Sequence, residues 1–92
     1  MAVIEKTCQI VNARGLHAQA AAQFVKMASR FNAEISIKKG VRQVNGKSIM
    51  GILTLAAARG SQIVIMADGM DSEEAIEELL KLVMNGFYED DK

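Results

Sequence analysis

The chain has 92 residues, half of them hydrophobic, a formal net charge of zero, one cysteine and no proline or tryptophan. That length supports a single hydrophobic core and hardly two, so one domain over residues 1–92 is expected. The lone Cys8 excludes an internal disulfide and, with only one histidine, a structural zinc site, while the lack of any run of 18 apolar residues or of a basic-then-apolar leader points to a cytoplasmic protein without a membrane span.

Residues 3–11 (VIEKTCQIV) are rich in β-branched side chains and alternate in part, with Ile4, Cys8 and Ile10 on one side, which predicts a strand with Cys8 as a small core residue. Asn12-Ala13-Arg14-Gly15 breaks it. Ala20, Phe24, Met27, Ala28 and Phe31 then fall on one face of a helix that starts at about residue 18 and runs to about Phe31, with Asn32 as its terminator. Gln19, Gln23, Lys26 and Arg30 take the other face. Residues 34–38 alternate as a half-wet strand, Lys39-Gly40 turns, and residues 41–44 return as a third strand. Ser48 is a good N-cap for a short helix over 49–54, in which Ile49, Met50 and Leu53 form one apolar cluster while Ile52 and Leu55 point elsewhere, and only one side can face the core. Residues 62–67 (QIVIMA) form the strongest strand. The last helix opens at Asp71 or Ser72, with Asp71 and Glu74 at capping-box spacing. It buries Ile76, Leu79, Leu80, Val83 and Phe87 and ends near Gly86, leaving an acidic tail.

The order is β-α-β-β-α-β-α. Each long helix has one apolar stripe and the second strand one dry face, so the expected fold is α+β: an open-faced sandwich with a four-stranded antiparallel sheet and three helices on one side. The bare face should carry Glu5, Thr7, Gln9, Glu34, Ser36 and Lys38. Zero net charge conceals a separation. Residues 1–67 hold nine of the eleven Lys and Arg and only Glu5 and Glu34 among the acids, whereas 68–92 hold nine acids against Lys81 and Lys92. A basic body with an acidic final segment suits an anionic ligand or an acidic protein partner.

His17, the only histidine, falls at or beside the N-cap of the first helix. There the backbone N–H groups have no carbonyl partner inside the helix and the dipole favours an anion, so an imidazole is well sited to carry a phosphoryl group. Its spacing is equally compatible with a merely structural or exposed histidine.

Asn12-x-x-Gly15-Leu16-His17-Ala18, then Ala21-Ala22-x-Phe24-Val25, and later Val44-Asn45-x-Lys47-Ser48-Ile49-Met50-Gly51 closely resemble the HPr family, the histidine-containing phosphocarriers of the bacterial phosphotransferase system. The likeness runs from Thr7 to about Met84. It implies that His17 takes a phosphoryl group on Nδ1 from phospho-enzyme I and passes it to a histidine of an EIIA-type domain, without a cofactor or metal. A neutral imidazole nitrogen is a nucleophile at pH 7, and a phosphorylated imidazole remains a good leaving group. The resemblance further implies phosphate-stabilising donors at Ala18 and Gln19, regulatory phosphorylation of Ser48 by HPr kinase/phosphorylase, and partner docking by Ile49, Met50 and Leu53, joined around His17 by Ala18, Ala21 or Ala22. Lys26, Lys47 and Arg30 would then be steering charges at its rim.

One departure stands out. The family usually continues its histidine motif with arginine and proline, where this chain has Gln19 and Ala20. Glutamine keeps a donor but removes the charge. Arg14, three residues before His17, is the candidate replacement cation. A second reading keeps the fold as a regulatory binding module of a nitrogen- or carbon-control branch. Nucleic-acid binding is not expected, because Phe24, Phe31, Phe87 and Tyr88 fall on or beside helices rather than on strands. A self-sufficient enzyme is not expected either, for want of a second catalytic base, a metal set or a glycine-lysine phosphate loop, and a monomer is the expected state.

Overall fold

The computed structural model describes residues 3–89. Its elements follow the order β1 (Val3–Gln9), α1 (Ala18–Ala28), β2 (Glu34–Lys39), β3 (Arg42–Asn45), α2 (Ile49–Leu53), β4 (Gln62–Asp68) and α3 (Ser72–Met84), closed by a tight turn at Gly86–Tyr88. The four strands form one antiparallel sheet in the order β1-β4-β2-β3. This is the open-faced α+β sandwich that the alternation pattern predicts.

Register explains the two faces. Ile4 pairs with Ala67, Cys8 with Ile63, Ile35 with Ala67 and Ile37 with Ile65, so these side chains share the face beneath the helices. Ile35, Ile37, Ile63, Ile65 and Ala67 are buried there. The opposite face carries Glu5, Thr7, Gln9, Glu34, Ser36 and Lys38 as expected, with Val64 and Met66 half-buried among them. Above the sheet, α3 packs on β1 and β4, α2 packs beside β3, and α1 touches both other helices. Phe24, Ile52, Leu79, Val83 and Phe87 complete the core.

Some element ends and one cap differ from the sequence expectation. The strand expected to reach residue 11 ends at Gln9, although Ile10 stays buried and exchanges backbone hydrogen bonds with Gly60 and Ser61. The first helix ends at Ala28, not Phe31. Beyond it the chain tightens into i→i−3 bonds from Arg30 to Met27 and from Phe31 to Ala28, which still deliver Phe31 to the core. Asp71 is the residue before α3, but its side chain makes no cap bond there. Its carboxylate instead accepts from the N–H groups of Asn32 and Ala33, at 2.8 and 2.9 Å, and pins the α1–β2 turn. The capping-box expectation is therefore corrected: those two amides, 38 and 39 residues away in sequence, offer the carboxylate a bidentate partner. Of the expected acidic tail, Asp90 and Asp91 lie outside the described residues.

Candidate functional site

Gly15 sets the approach to the site. Its φ is +66°, and a β-carbon on it would stand 2.5 Å from the Ala57 carbonyl oxygen, so only glycine lets this loop lie against the segment after α2. The next residue fastens the contact, with Leu16 N–H donating to that same carbonyl at 2.9 Å. Leu16 is buried, and the chain emerges at His17 in extended conformation as the N-cap of α1. The His17 side chain is 15 % exposed, so its ring is shielded but reaches solvent.

The two ring nitrogens meet different partners. Nδ1 accepts from the backbone N–H of Gln19 at 3.3 Å. Nε2 faces the carboxylate of Glu89. Ala21 N–H is bonded to the His17 carbonyl, so the amides of Ala18, Gln19 and Ala20 are left without an intrahelical acceptor, and that of Gln19 is turned to the ring. An oxyanion built on Nδ1 would meet these donors and the positive end of α1.

Glu89 arrives by an unusual backbone route. Gly86, Phe87 and Tyr88 all have left-handed φ, at +62°, +58° and +58°, and two of them carry side chains that disfavour it at about 1 kcal/mol or more each. Burial of Phe87 offsets that cost and anchors the turn. Asn12 holds its far side: the wholly buried Asn12 donates from Nδ2 both to the Gly15 carbonyl, 2.8 Å away, and to Glu89 Oε1, 3.1 Å away. A reversed amide would set oxygen against two acceptors, so Nδ2 must point this way, and Asn12 Oδ1 is left buried without a hydrogen-bond partner among the described residues. Desolvation alone would raise the Glu89 carboxyl, but the hydrogen bonds from His17 and Asn12 and the nearby charges of His17 and Arg14 outweigh it and bring it below the ordinary value of 4.5.

Arg14 is exposed on the loop before His17, and Ala18 and Gln19 are exposed at the start of α1. Met50, 74 % exposed, stands beside exposed Ile49 and half-buried Leu53 on α2, while Ile52 and Leu55 are buried, which is the division the short-helix pattern anticipated. α1 and α2 pack together, and on α1 Ala22 is exposed, whereas Ala21 is buried and offers no docking surface. Lys26 is exposed on α1 and Arg30 in the turn that follows it. Lys47 differs from a free rim charge: its ammonium donates to the Phe31 carbonyl at 2.7 Å and braces the turn after α1. Ser48 caps α2, its Oγ accepting from Gly51 N–H at 3.0 Å. Phe24, Phe31 and Phe87 are buried and Tyr88 follows α3, so none of the aromatics offers a stacking surface on a strand.

Sequence reading missed Glu89 as part of the site and treated Asn12 only as the opening of a motif. The signal lay in Gly86: a glycine after a helix turns the chain back over what precedes it. Nothing local says that it turns toward a residue 72 positions upstream.

A family model described as the PTS HPr component phosphorylation site matches residues 4–85. The phosphocarrier protein HPr of Neisseria meningitidis serogroup A is 42% identical over 86 residues, which is 94% of this chain and 96% of that protein. The HPr-like protein Crh of Halalkalibacterium halodurans is also 42% identical, over 88% of this chain and 96% of its own length. Among solved structures, HPr from Thermoanaerobacter tengcongensis superposes with a TM-score of 0.91 at 44% identity, covering 95% of this chain and 98% of that one, and an HPr dimer from the same organism matches with a TM-score of 0.76 at 44% identity over 89% and 94%.

Proposed function

This chain belongs to the HPr family, and from that premise we propose that it carries a phosphoryl group on His17 Nδ1 from phospho-enzyme I to EIIA-type domains. The observation that carries the reading is the placement of Nδ1 beside the Gln19 amide at the start of α1. In the acceptor step the Nδ1 lone pair forms the new N–P bond while the donor's N–P bond breaks and its electron pair stays on the donor imidazole. The phosphoryl oxygens then replace Nδ1 as acceptor for the Gln19 amide and also take up the Ala18 amide, donors that need not reorganise during transfer. Gln19 offers no charge, so Arg14 takes the neutralising role.

Docking follows the exposed surface. Ile49, Met50, Leu53 and Ala22 form a small, adaptable apolar patch suited to partners that must leave quickly, with Lys26 and Arg30 as steering charges. Phosphorylation of Ser48 by an HPr kinase/phosphorylase would place an anion at the head of α2, next to that patch, and would weaken docking to an acidic partner without unfolding the helix. The protein acts as a phosphorylated participant in the cytoplasm rather than as a catalyst, as a single domain that works as a monomer. A regulatory role is the second reading, supported by the similarity to the Crh protein.

Incubation with phosphoenolpyruvate and enzyme I, without ATP, should place an acid-labile phosphate on His17, absent from His17→Ala and transferable to an EIIA domain. A wild-type protein left unlabelled overturns the carrier reading. Label that forms but never reaches any EIIA domain supports the regulatory one.

A further inference from the structure

We infer that Glu89 is a positioning residue for the phosphocarrier histidine: it fixes the ring proton on Nε2, directs phosphorylation to Nδ1 and serves as counter-ion to the phosphorylated ring. The inference deepens the carrier reading and rests on it for its biological meaning, although its chemistry can be tested separately. The argument begins with the proton. A backbone N–H can only donate, so the Gln19 contact requires a bare lone pair on Nδ1. The neutral ring must then carry its hydrogen on Nε2, where the Glu89 carboxylate accepts it. Without that carboxylate the two tautomers would be separated only by a long contact to one amide, and Nε2 would be open to the same electrophiles as Nδ1.

The second consequence concerns charge. When Nδ1 gives its lone pair to phosphorus, the donor keeps the electron pair of the broken N–P bond. The His17 ring keeps its Nε2 hydrogen, and so it becomes an imidazolium bearing the phosphoryl group. In the onward step the N–P bond breaks, its electrons return to Nδ1, and the ring is neutral again with no proton exchanged. The positive ring is the better leaving group, so whatever keeps Nε2 protonated favours release. Glu89 is placed for this, on the ring edge away from Nδ1, where its charge meets the ring before it meets the phosphoryl oxygens.

The surroundings contribute little that competes. The first turn of α1 carries no acidic residue, and α2 from Ile49 to Leu53 is uncharged. From the loop before α1, Arg14 acts on Glu89 by its charge, and the buried Asn12 amide donates to it. Both keep the carboxyl ionised. The left-handed run at Gly86–Tyr88 then has a purpose, because an ordinary helical or extended exit from α3 would carry residue 89 elsewhere.

The test uses phosphoramidate, a small N–P donor that labels histidine without any partner protein, followed by 15N and 31P NMR of the intact chain. Wild type should hold the unphosphorylated ring as the Nε2–H tautomer and accept phosphate on Nδ1 alone. In Glu89→Ala, Nε2 should become phosphorylated alongside Nδ1, and the midpoint for loss of the ring proton in the Nδ1-phosphorylated form should fall by about one pH unit. Glu89→Gln, which still offers an acceptor oxygen, should restore the single site of modification but not the midpoint. Modification of Glu89→Ala on Nδ1 alone, with the wild-type tautomer and midpoint, overturns the inference. Because phosphoramidate replaces enzyme I, that outcome is distinct from a failure of the carrier reading, which is judged by labelling from phosphoenolpyruvate.

Discussion

Arg14 and Lys38 are both exposed cations of the basic body, but only Arg14 lies on the loop that presents His17. Lys38 sits on the bare sheet face, opposite Val64. If Arg14 supplies the charge that Gln19 lacks, Arg14→Ala should slow phosphorylation of His17 by enzyme I roughly tenfold, the loss of one charge-assisted contact of about 1.5 kcal/mol. Lys38→Ala should leave the rate near wild type in the same rapid-quench assay, and equal rates for the two variants would remove Arg14 from the mechanism. At this scale the sequence announced the cap positions of His17 and Ser48, because a cap is tied to its immediate neighbours. It offered Lys47 as a steering charge and did not foresee that its ammonium is taken up by the Phe31 carbonyl 16 residues away, since a lysine's reach is decided by the fold and not by its flanks. Cys8, expected in the core, is half-buried, and desolvation raises its thiol to about 11, so it stays protonated and poorly nucleophilic at neutral pH.

The elements themselves were legible because their patterns are unmixed: alternation in β2, an unbroken apolar run in β4, and a single apolar stripe in α1 and α3. Their ends were less so. At the start of α3 the local spacing of Asp71 and Glu74 suggests mutual capping, yet Asp71 holds the α1–β2 turn. This distinction can be measured. Asp71→Ala should cost about 1–3 kcal/mol by leaving two amides unbonded, lowering the melting temperature by several degrees for a domain of this size. Glu74→Ala, which is exposed, should stay within about 0.5 kcal/mol. Comparable losses in the two variants would restore the capping box. The Glu89 contact belongs to this scale as well, for it is the run of left-handed residues after α3 and not the composition of the tail that places the carboxylate. Its pKa is lowered in the folded chain, so its contribution to stability is present above its ordinary value of 4.5 and is lost as pH falls through the lower, folded value.

Over the whole molecule the charge separation read from composition is only partly spatial. Arg14 and Lys26 are exposed on the loop and helix that His17 joins, whereas Glu73, Glu74, Glu77 and Glu78 ride on α3 above β1 and β4, with Lys6 beside three of them and Glu89 returning to His17. Association with an acidic donor should therefore weaken with salt. Raising ionic strength from about 0.01 to 0.15 M shortens the screening length from roughly 30 to 8 Å, and the second-order rate of labelling by enzyme I should drop by about tenfold. A rate indifferent to salt would show that steering plays no part. The sheet also gives the molecule two ends. Both β1 leaving toward His17 and β4 entering after Gly60 lie at one end, while β4 runs seven residues to Asp68 and the fully exposed Met70 at the other. That geometry provides a handle. A thiol introduced at Met70→Cys would be the accessible one beside the protonated Cys8, so a dye or bead tethered there would watch the cargo change hands from the pole it never visits.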